Sequence, residues 1–356
     1  MPTVDNIGSG PNHVDDELRH QPSRKDAEVS VPAKRSAAML VGPGELVIEE
    51  HPIPEVRDRD VLVKVDRGAI CGSDLHAVYD GLGFLVNQHK PEPGGPGHEG
   101  VGTVVETRSE RFQVGDRVLI LNVGSFAEYT VVSEDWLLTL PEDQSFARMI
   151  MAQQLGVCLY GMDRFWPRDR EAGKVATLIG AGSIGLNFLQ LLKLWGFETV
   201  IVSDLEPARL DVARELGATE VVLAPAESVV EMTRKLTGGL GADLVVEAAG
   251  YDETRAQSVE AVREDGRIGF FGYPESYEPS PFPFGDAFWK GPISIEIVKG
   301  AQRIKGLPHF HEAIKLISDG TIPVDHLLGA EYPLDEIATA FEAARARKHI
   351  KVQLVV

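Results

Sequence analysis

The 356-residue chain exceeds the roughly 100–200 residues of one ordinary domain, so two or three domains around a well-buried core are expected. Hydrophobic residues at 43% and charged residues at 25% exclude wholesale disorder, and 36 glycines predict many tight turns. The formal charge of −19 repels a phosphate backbone and speaks against nucleic-acid binding. Two cysteines, Cys71 and Cys158, exclude a secreted disulfide scaffold and favour a reducing, cytoplasmic setting. No run approaches the roughly 18 apolar residues of a membrane helix, so no membrane partner is expected.

Residues Met1 to Lys34 mix polar residues, Gly and Pro without an apolar period and read as a disordered arm. From Arg35 short β-branched runs, Leu46–Ile48 and Val61–Val65, alternate with turn signals at residues 41–44 and 114–117 and predict a mostly β region. Around Gln153 the texture changes. Val175–Ile179 reads as a strand, Gly180–Gly185 as a glycine-rich turn, Leu186–Trp195 as a helix and Thr199–Val202 as a second strand, which makes one βαβ unit. Strands at Glu220–Leu223, Leu244–Glu247, Arg267–Phe271 and Ser294–Val298 continue a parallel sheet that ends near Gly300. Helices Phe310–Ser318 and Leu334–Ala346 and a strand Lys351–Val355 follow.

Gly180-Ala181-Gly182-Ser183-Ile184-Gly185 fits G-x-G-x-x-G and lies between a predicted strand and a predicted helix, the context the motif requires. Gly180 permits the tight turn, Gly182 lets the backbone approach a pyrophosphate, and Gly185 lets helix and strand pack closely. Ser183 and Ile184 open the helix, whose unpaired N–H groups face the phosphates. Asp204, at the end of the second strand, stands where a carboxylate accepts ribose hydroxyls and repels a 2′-phosphate, which favours NAD over NADP. Arg209 lies five residues on, either near that pocket or as a solvated charge.

Two further motifs fall in the β region: Cys71-Gly72-Ser73-Asp74-Leu75-His76 and Gly97-His98-Glu99-Gly100. Taken singly they read as a buried thiol and a satisfied histidine. Followed by the dinucleotide unit, and accompanied by residues 114–118, 126–129, 243–250 and 334–338, they make the chain from Ala37 to Val356 resemble the medium-chain dehydrogenase/reductase superfamily. The nearest likeness is to its zinc-dependent alcohol, polyol and threonine dehydrogenases. The resemblance implies an α/β protein: a β-rich GroES-like catalytic domain at 35–155 and 302–356, and a Rossmann domain with a doubly wound parallel sheet at 156–301.

The resemblance also implies roles. Cys71 and His98 would ligate a catalytic zinc, with Glu99 able to enter the coordination sphere and Asp74 orienting His98. Ser73 would take the proton of the alcohol and His76 would pass it towards solvent. Gly272 and Lys351 would be cofactor contacts, Lys351 at the pyrophosphate, with a plain surface lysine as the alternative. No four-cysteine lobe is present, so a second, structural zinc is not expected. The third ligand, usually Cys or Glu, falls at Gln153, or at Gln154 if the register slips by one.

The leading expectation is an NAD- and zinc-dependent oxidoreductase interconverting a secondary alcohol of polyol, sugar or cyclitol type and its ketone. The rivals are a zinc-free enoyl or quinone reductase of the same superfamily and a non-catalytic dinucleotide-binding protein. Residues 80–96 should form one wall of the substrate cleft, with Tyr79, Phe84 and Trp136 as candidate lining. Cys158 reads as core, and His309 and His311 as surface residues. Pro292–Val298 should be an edge strand that pairs across a two-fold axis into a homodimer or homotetramer.

Overall fold

Strand β1 (Lys34–Gly42) turns back at Gly44, whose φ of +77° is open to glycine, into β2 (Glu45–Pro52), and the two lie antiparallel as a sheet of their own. The computed structural model describes residues 31–80, 92–171, 173–274 and 281–356. Residues 1–30 of the expected arm, and Phe84 with most of the expected cleft wall, lie outside the described residues. Lys34 is already strand.

β3 (Asp60–Ile70) is the spine of the first large sheet. Val61, Val63 and Val65 are buried while Lys64 and Asp66 point out, the period of two that a pleated strand imposes. β3 runs directly into α1 (Gly72–Tyr79), followed by β4 (Gly100–Thr107), β5 (Arg117–Ile120), β6 (Tyr129–Ser133) and β7 (Leu137–Thr139). A short helix α2 (Phe146–Met149) leads into α3 (Met151–Phe165), where 12 of 15 residues are buried. Buried almost throughout, this helix lacks the broad exposed polar face by which a surface helix is recognised in a sequence.

The second sheet alternates with helices: β8 (Val175–Ile179), α4 (Ser183–Leu194), β9 (Thr199–Asp204), α5 (Pro207–Glu215), β10 (Glu220–Leu223), α6 (Val229–Leu236), β11 (Ala242–Glu247), α7 (Asp252–Ala261), β12 (Val262–Phe270), α8 (Phe284–Lys290) and β13 (Ser294–Ile297). All its pairings are parallel, in the order β10-β9-β8-β11-β12-β13. The order reverses between β8 and β11, which opens a crevice at the carboxyl ends of those strands. Expected and observed strands here differ at their ends, most at β12, which begins five residues before the expected Arg267.

The chain then adds α9 (Pro308–Ser318), β14 (Ala330–Pro333), α10 (Ile337–Arg345) and β15 (Val352–Val355). β15 pairs antiparallel with β3, Val352 opposite Ile70, and so completes the first sheet in the order β14-β15-β3-β4-β5-β7 with β6 beside β3. Residues 32–356 form a single unit. One buried cluster runs from Ala69 and Val101 of the first sheet, through Leu155 and Leu159 of α3, to Ala176 and Val202 of the second. No described helix is long and apolar enough to cross a membrane.

Candidate active site

Cys71 is the residue at which β3 gives way to α1, so its side chain is fixed by the sheet on one side and the helix on the other. Its backbone N–H donates to Asp74 Oδ2 at 2.9 Å. Asp74 is buried, and its other oxygen, Oδ1, lies 3.0 Å from His98 Nδ1. That contact puts the imidazole hydrogen on Nδ1 and leaves Nε2 free to bind another group. Glycines explain how the Gly97–Gly100 turn fits: a Cβ on Gly97 would sit 2.6 Å from the Phe126 ring, and one on Gly100 would sit 2.3 Å from Ser125 Oγ.

The ligating atoms of Cys71, His98 and Glu99 all lie within 4.8 Å of one another. Thiolate, imidazole and carboxylate together suit zinc. Burial disfavours a charged His98, yet the Asp74 carboxylate and the Cys71 sulfur outweigh it and hold the imidazole pKa well above its usual value. A metal ion bound here would take the place of that proton, because only the neutral imidazole ligates.

Two residues behind this cluster differ from expectation. Gln154, not Gln153, reaches the cluster: its Nε2 donates to Glu99 Oε1 at 3.2 Å. Among the described residues the Gln153 side chain makes no such bond, because successive positions on α3 point about 100° apart. Lys351, expected at the cofactor pyrophosphate or on the surface, is only 2% exposed and its ammonium lies 2.5 Å from Glu99 Oε2. Strand β15 carries it there. Glu99 itself is fully buried, and its charge is offset by this lysine.

Ser73 lies in the first turn of α1 and His76 in its last. His76 Nδ1 is 2.5 Å from Asp80 Oδ2, and its ring stacks on Tyr273 with centroids 5.3 Å apart. Tyr273 was not legible in the sequence, because it follows β12 and meets α1 only through the fold. The Tyr79 hydroxyl donates to Glu342 Oε1 at 2.8 Å on α10. Trp136 is half-buried against the core.

In the crevice of the parallel sheet, Gly180 has φ +101° and its N–H donates to Ser203 O. A Cβ on Gly185 would lie 1.8 Å from Gly180 O, so no side chain is possible there. Gly182 caps α4, and Ser183 and Ile184 form its first turn. Asp204 closes β9, with Oδ2 accepting the Ala181 N–H of the glycine loop at 2.6 Å and Oδ1 accepting that of Glu206. Arg209 is no freely solvated charge: it stands 3.9 Å from Asp204 and donates to Arg347 O.

At the carboxyl ends of β11 and β12 the following loops touch: a Cβ on Gly272, expected as a cofactor contact, would lie 2.2 Å from Gly250 N. Buried Glu247 ties them: its Oε1 accepts from Ala249, Gly250 and Thr254 of the first loop and helix, and its backbone carbonyl accepts from Phe271 and Gly272 of the second. Burial raises its pKa, against the pull of those bonds. A lone charge ending the apolar run 244–246 was the available sequence signal for it.

Outside these sites, Cys158 is fully buried, and His311 is exposed. His309 corrects the surface reading: Nε2 lies 3.2 Å from Asp163 Oδ2, packed between α9 and α3. A polar cavity of about 340 Å³, lined by Arg35, Arg57, Asp60 and Thr130 among others, contains none of the metal or dinucleotide candidates.

Residues 57–142 match the alcohol dehydrogenase GroES-like domain, and residues 183–319 match the family described as zinc-binding dehydrogenase. A sorbitol dehydrogenase of Bacillus subtilis is 26% identical over 359 residues, covering 92% of this chain and 98% of that protein. The uncharacterized zinc-type alcohol dehydrogenase-like protein YdjJ of Escherichia coli is 31% identical over 271 residues, 67% of this chain and 77% of that one. A zinc-binding dehydrogenase structure from Sinorhizobium meliloti, bound to NADP, superposes with a TM-score of 0.78 at 25% identity, covering 91% of this chain and 100% of that one.

Proposed function

Because the chain belongs to the zinc-type alcohol dehydrogenases of the medium-chain dehydrogenase/reductase superfamily, oxidoreductases of zinc and a nicotinamide cofactor, we propose that it interconverts a secondary alcohol and its ketone using NAD and one catalytic zinc. The substrate class we propose is a polyol, sugar or cyclitol, in keeping with the likeness to sorbitol dehydrogenase. The observation that carries the reading is the convergence of Cys71, His98 and Glu99 within 4.8 Å, with Asp74 fixing the imidazole.

Cys71 and His98 would hold the metal, with Glu99 as a further ligand. When bound, zinc supplies Lewis-acid polarisation of the alcohol oxygen and NAD accepts the hydride. The protein's part is the rest. Ser73 takes the hydroxyl proton and hands it to His76 Nε2, and the Asp80 carboxylate at Nδ1 stabilises the imidazolium that forms. The α4 N-terminus and Gly182 receive the pyrophosphate. Asp204 accepts ribose hydroxyls and disfavours a 2′-phosphate. We further propose the division into a catalytic part, 35–155 with 302–356, and a cofactor part, 156–301. Assembly would be a homodimer through β13, and the free thiols Cys71 and Cys158 suit a reducing cytoplasm.

A zinc-free reductase is the second reading, favoured by neutral Gln154 behind the cluster and by Lys351 neutralising Glu99. Elemental analysis combined with a polyol and cyclitol panel decides between them. The expected result is one zinc per chain and NAD-linked turnover, both lost in Cys71→Ser while NADH binding persists. Two zincs per chain, or a Cys71→Ser variant as active as the parent, would overturn the proposal.

A further inference from the structure

His76 meets two partners, and they constrain different freedoms of its ring. Asp80 Oδ2, 2.5 Å from Nδ1, fixes which nitrogen faces back along the helix. Tyr273 lies over the ring face at 5.3 Å with an interplanar angle of 25°. The imidazole, 25% exposed, would otherwise rotate about both side-chain torsions at the end of a short helix.

Tyr273 is itself held. Gly250 and Gly272 let the two loops meet, since a Cβ on Gly250, whose φ is +93°, would lie 2.0 Å from Tyr273 O. Glu247 anchors the first loop through its Oε1, and the Gly272 N–H donates to the Glu247 carbonyl at 3.0 Å. Pro274 restricts Tyr273 to extended backbone. The phenol ring thus extends from a backbone held at the carboxyl end of the parallel sheet onto a residue of the first sheet's helix.

We propose that Tyr273 is a positioning residue for His76: its ring, with the Asp80 carboxylate, holds the imidazole so that Nε2 stays turned to the proton leaving Ser73. The relay half of this rests on the dehydrogenase reading; the stacking half does not. The loop after β12, which holds the expected cofactor contact Gly272, is thereby joined to the proton path by an aromatic contact. No bond is made or broken by Tyr273.

The test uses the full chain with Tyr273→Leu, Tyr273→Phe and Asp80→Asn. Carbethoxylation of His76 by diethyl pyrocarbonate, read by peptide mass spectrometry, should run several-fold faster in Tyr273→Leu and at the parental rate in Tyr273→Phe. With NAD and whichever of sorbitol or inositol the parent oxidises, Tyr273→Leu should lose kcat several-fold, keep the parental NADH affinity, and recover when imidazole is added as a proton carrier. Asp80→Asn should show the same rescue. Parental His76 reactivity in Tyr273→Leu, a Tyr273→Phe variant indistinguishable from Tyr273→Leu, or a loss confined to NADH affinity would overturn the proposal. A parent that binds no NADH overturns the dehydrogenase reading instead, and the reactivity comparison still decides the stacking.

Discussion

A carboxylate introduced at position 154 would face Glu99 across the 3.2 Å now spanned by the glutamine amide. In the metal-free protein Gln154→Glu sets two buried carboxylates against one lysine, and with a divalent cation it adds a ligand. Zinc affinity, measured by chelator competition, should therefore rise and metal-free stability fall for Gln154→Glu; Gln153→Glu, also buried, should lose stability but keep the parental zinc affinity. The reverse pattern would return the ligand to position 153. At the ribose pocket, Asp204→Ala should narrow the preference for NAD over NADP by about 1–3 kcal/mol, read by titration of both cofactors. Tyr79 gives a pH signature. Burial, aided by the Glu342 carboxylate that accepts its hydroxyl, raises its pKa from 10.0 to about 12. Between those values the unfolded chain releases the phenolic proton and the folded chain keeps it, so the stability it contributes is full below pH 10.0 and is lost as pH rises through about 12. Urea unfolding across that window should decline less steeply for Tyr79→Phe. Cys71, Ser73, Asp74 and His76 were legible because their chemistry is packed into six consecutive residues. Tyr273 was not, and Gln154 and Lys351 were named without their Glu99 partner, since each meets its partner from far away in the chain.

Among the elements, α3 depends on a missing side chain. A Cβ on Gly156 would sit 2.3 Å from the Phe310 ring, so α9 seats its aromatic directly on the α3 backbone. Gly156→Val should overpack this contact and cost about 1–3 kcal/mol in urea unfolding. Gly156→Ala should cost less, because the better helix propensity of alanine returns up to about 1 kcal/mol. A neutral Val variant would mean that the helices separate freely. The parallel sheet was readable because its strands are short β-branched runs punctuated by Gly and polar turns. The helix α1 was not, since its N-cap is Cys71 rather than a Ser, Thr, Asp or Asn that marks a helix start.

On the scale of the whole molecule, β13 is, among the described residues, an open edge of the six-stranded sheet, with Ile297 76% exposed. Next to it α8 exposes Phe284, Phe288 and Trp289 and buries none of its residues. An open apolar edge is a liability unless covered, and a second copy placed across a two-fold axis covers it. Light scattering should report a dimer at micromolar concentration, and Ile297→Asp should shift it to monomer without changing the unfolding midpoint of dilute protein. Each copy carries a formal charge of −19, so added salt should tighten the association by screening their repulsion. Weakening with salt would point to an ion-paired interface instead.

The return of β15 to β3 also sets an order of events during synthesis. The six-stranded sheet takes all its strands from 175–297 and can assemble while β3 still lacks its neighbour. Cys71, His98 and Glu99 emerge early, but Lys351 emerges only with the strand that closes the first sheet. Until then the Glu99 carboxylate has no cation beside it, and the half-made site is more anionic than the finished one.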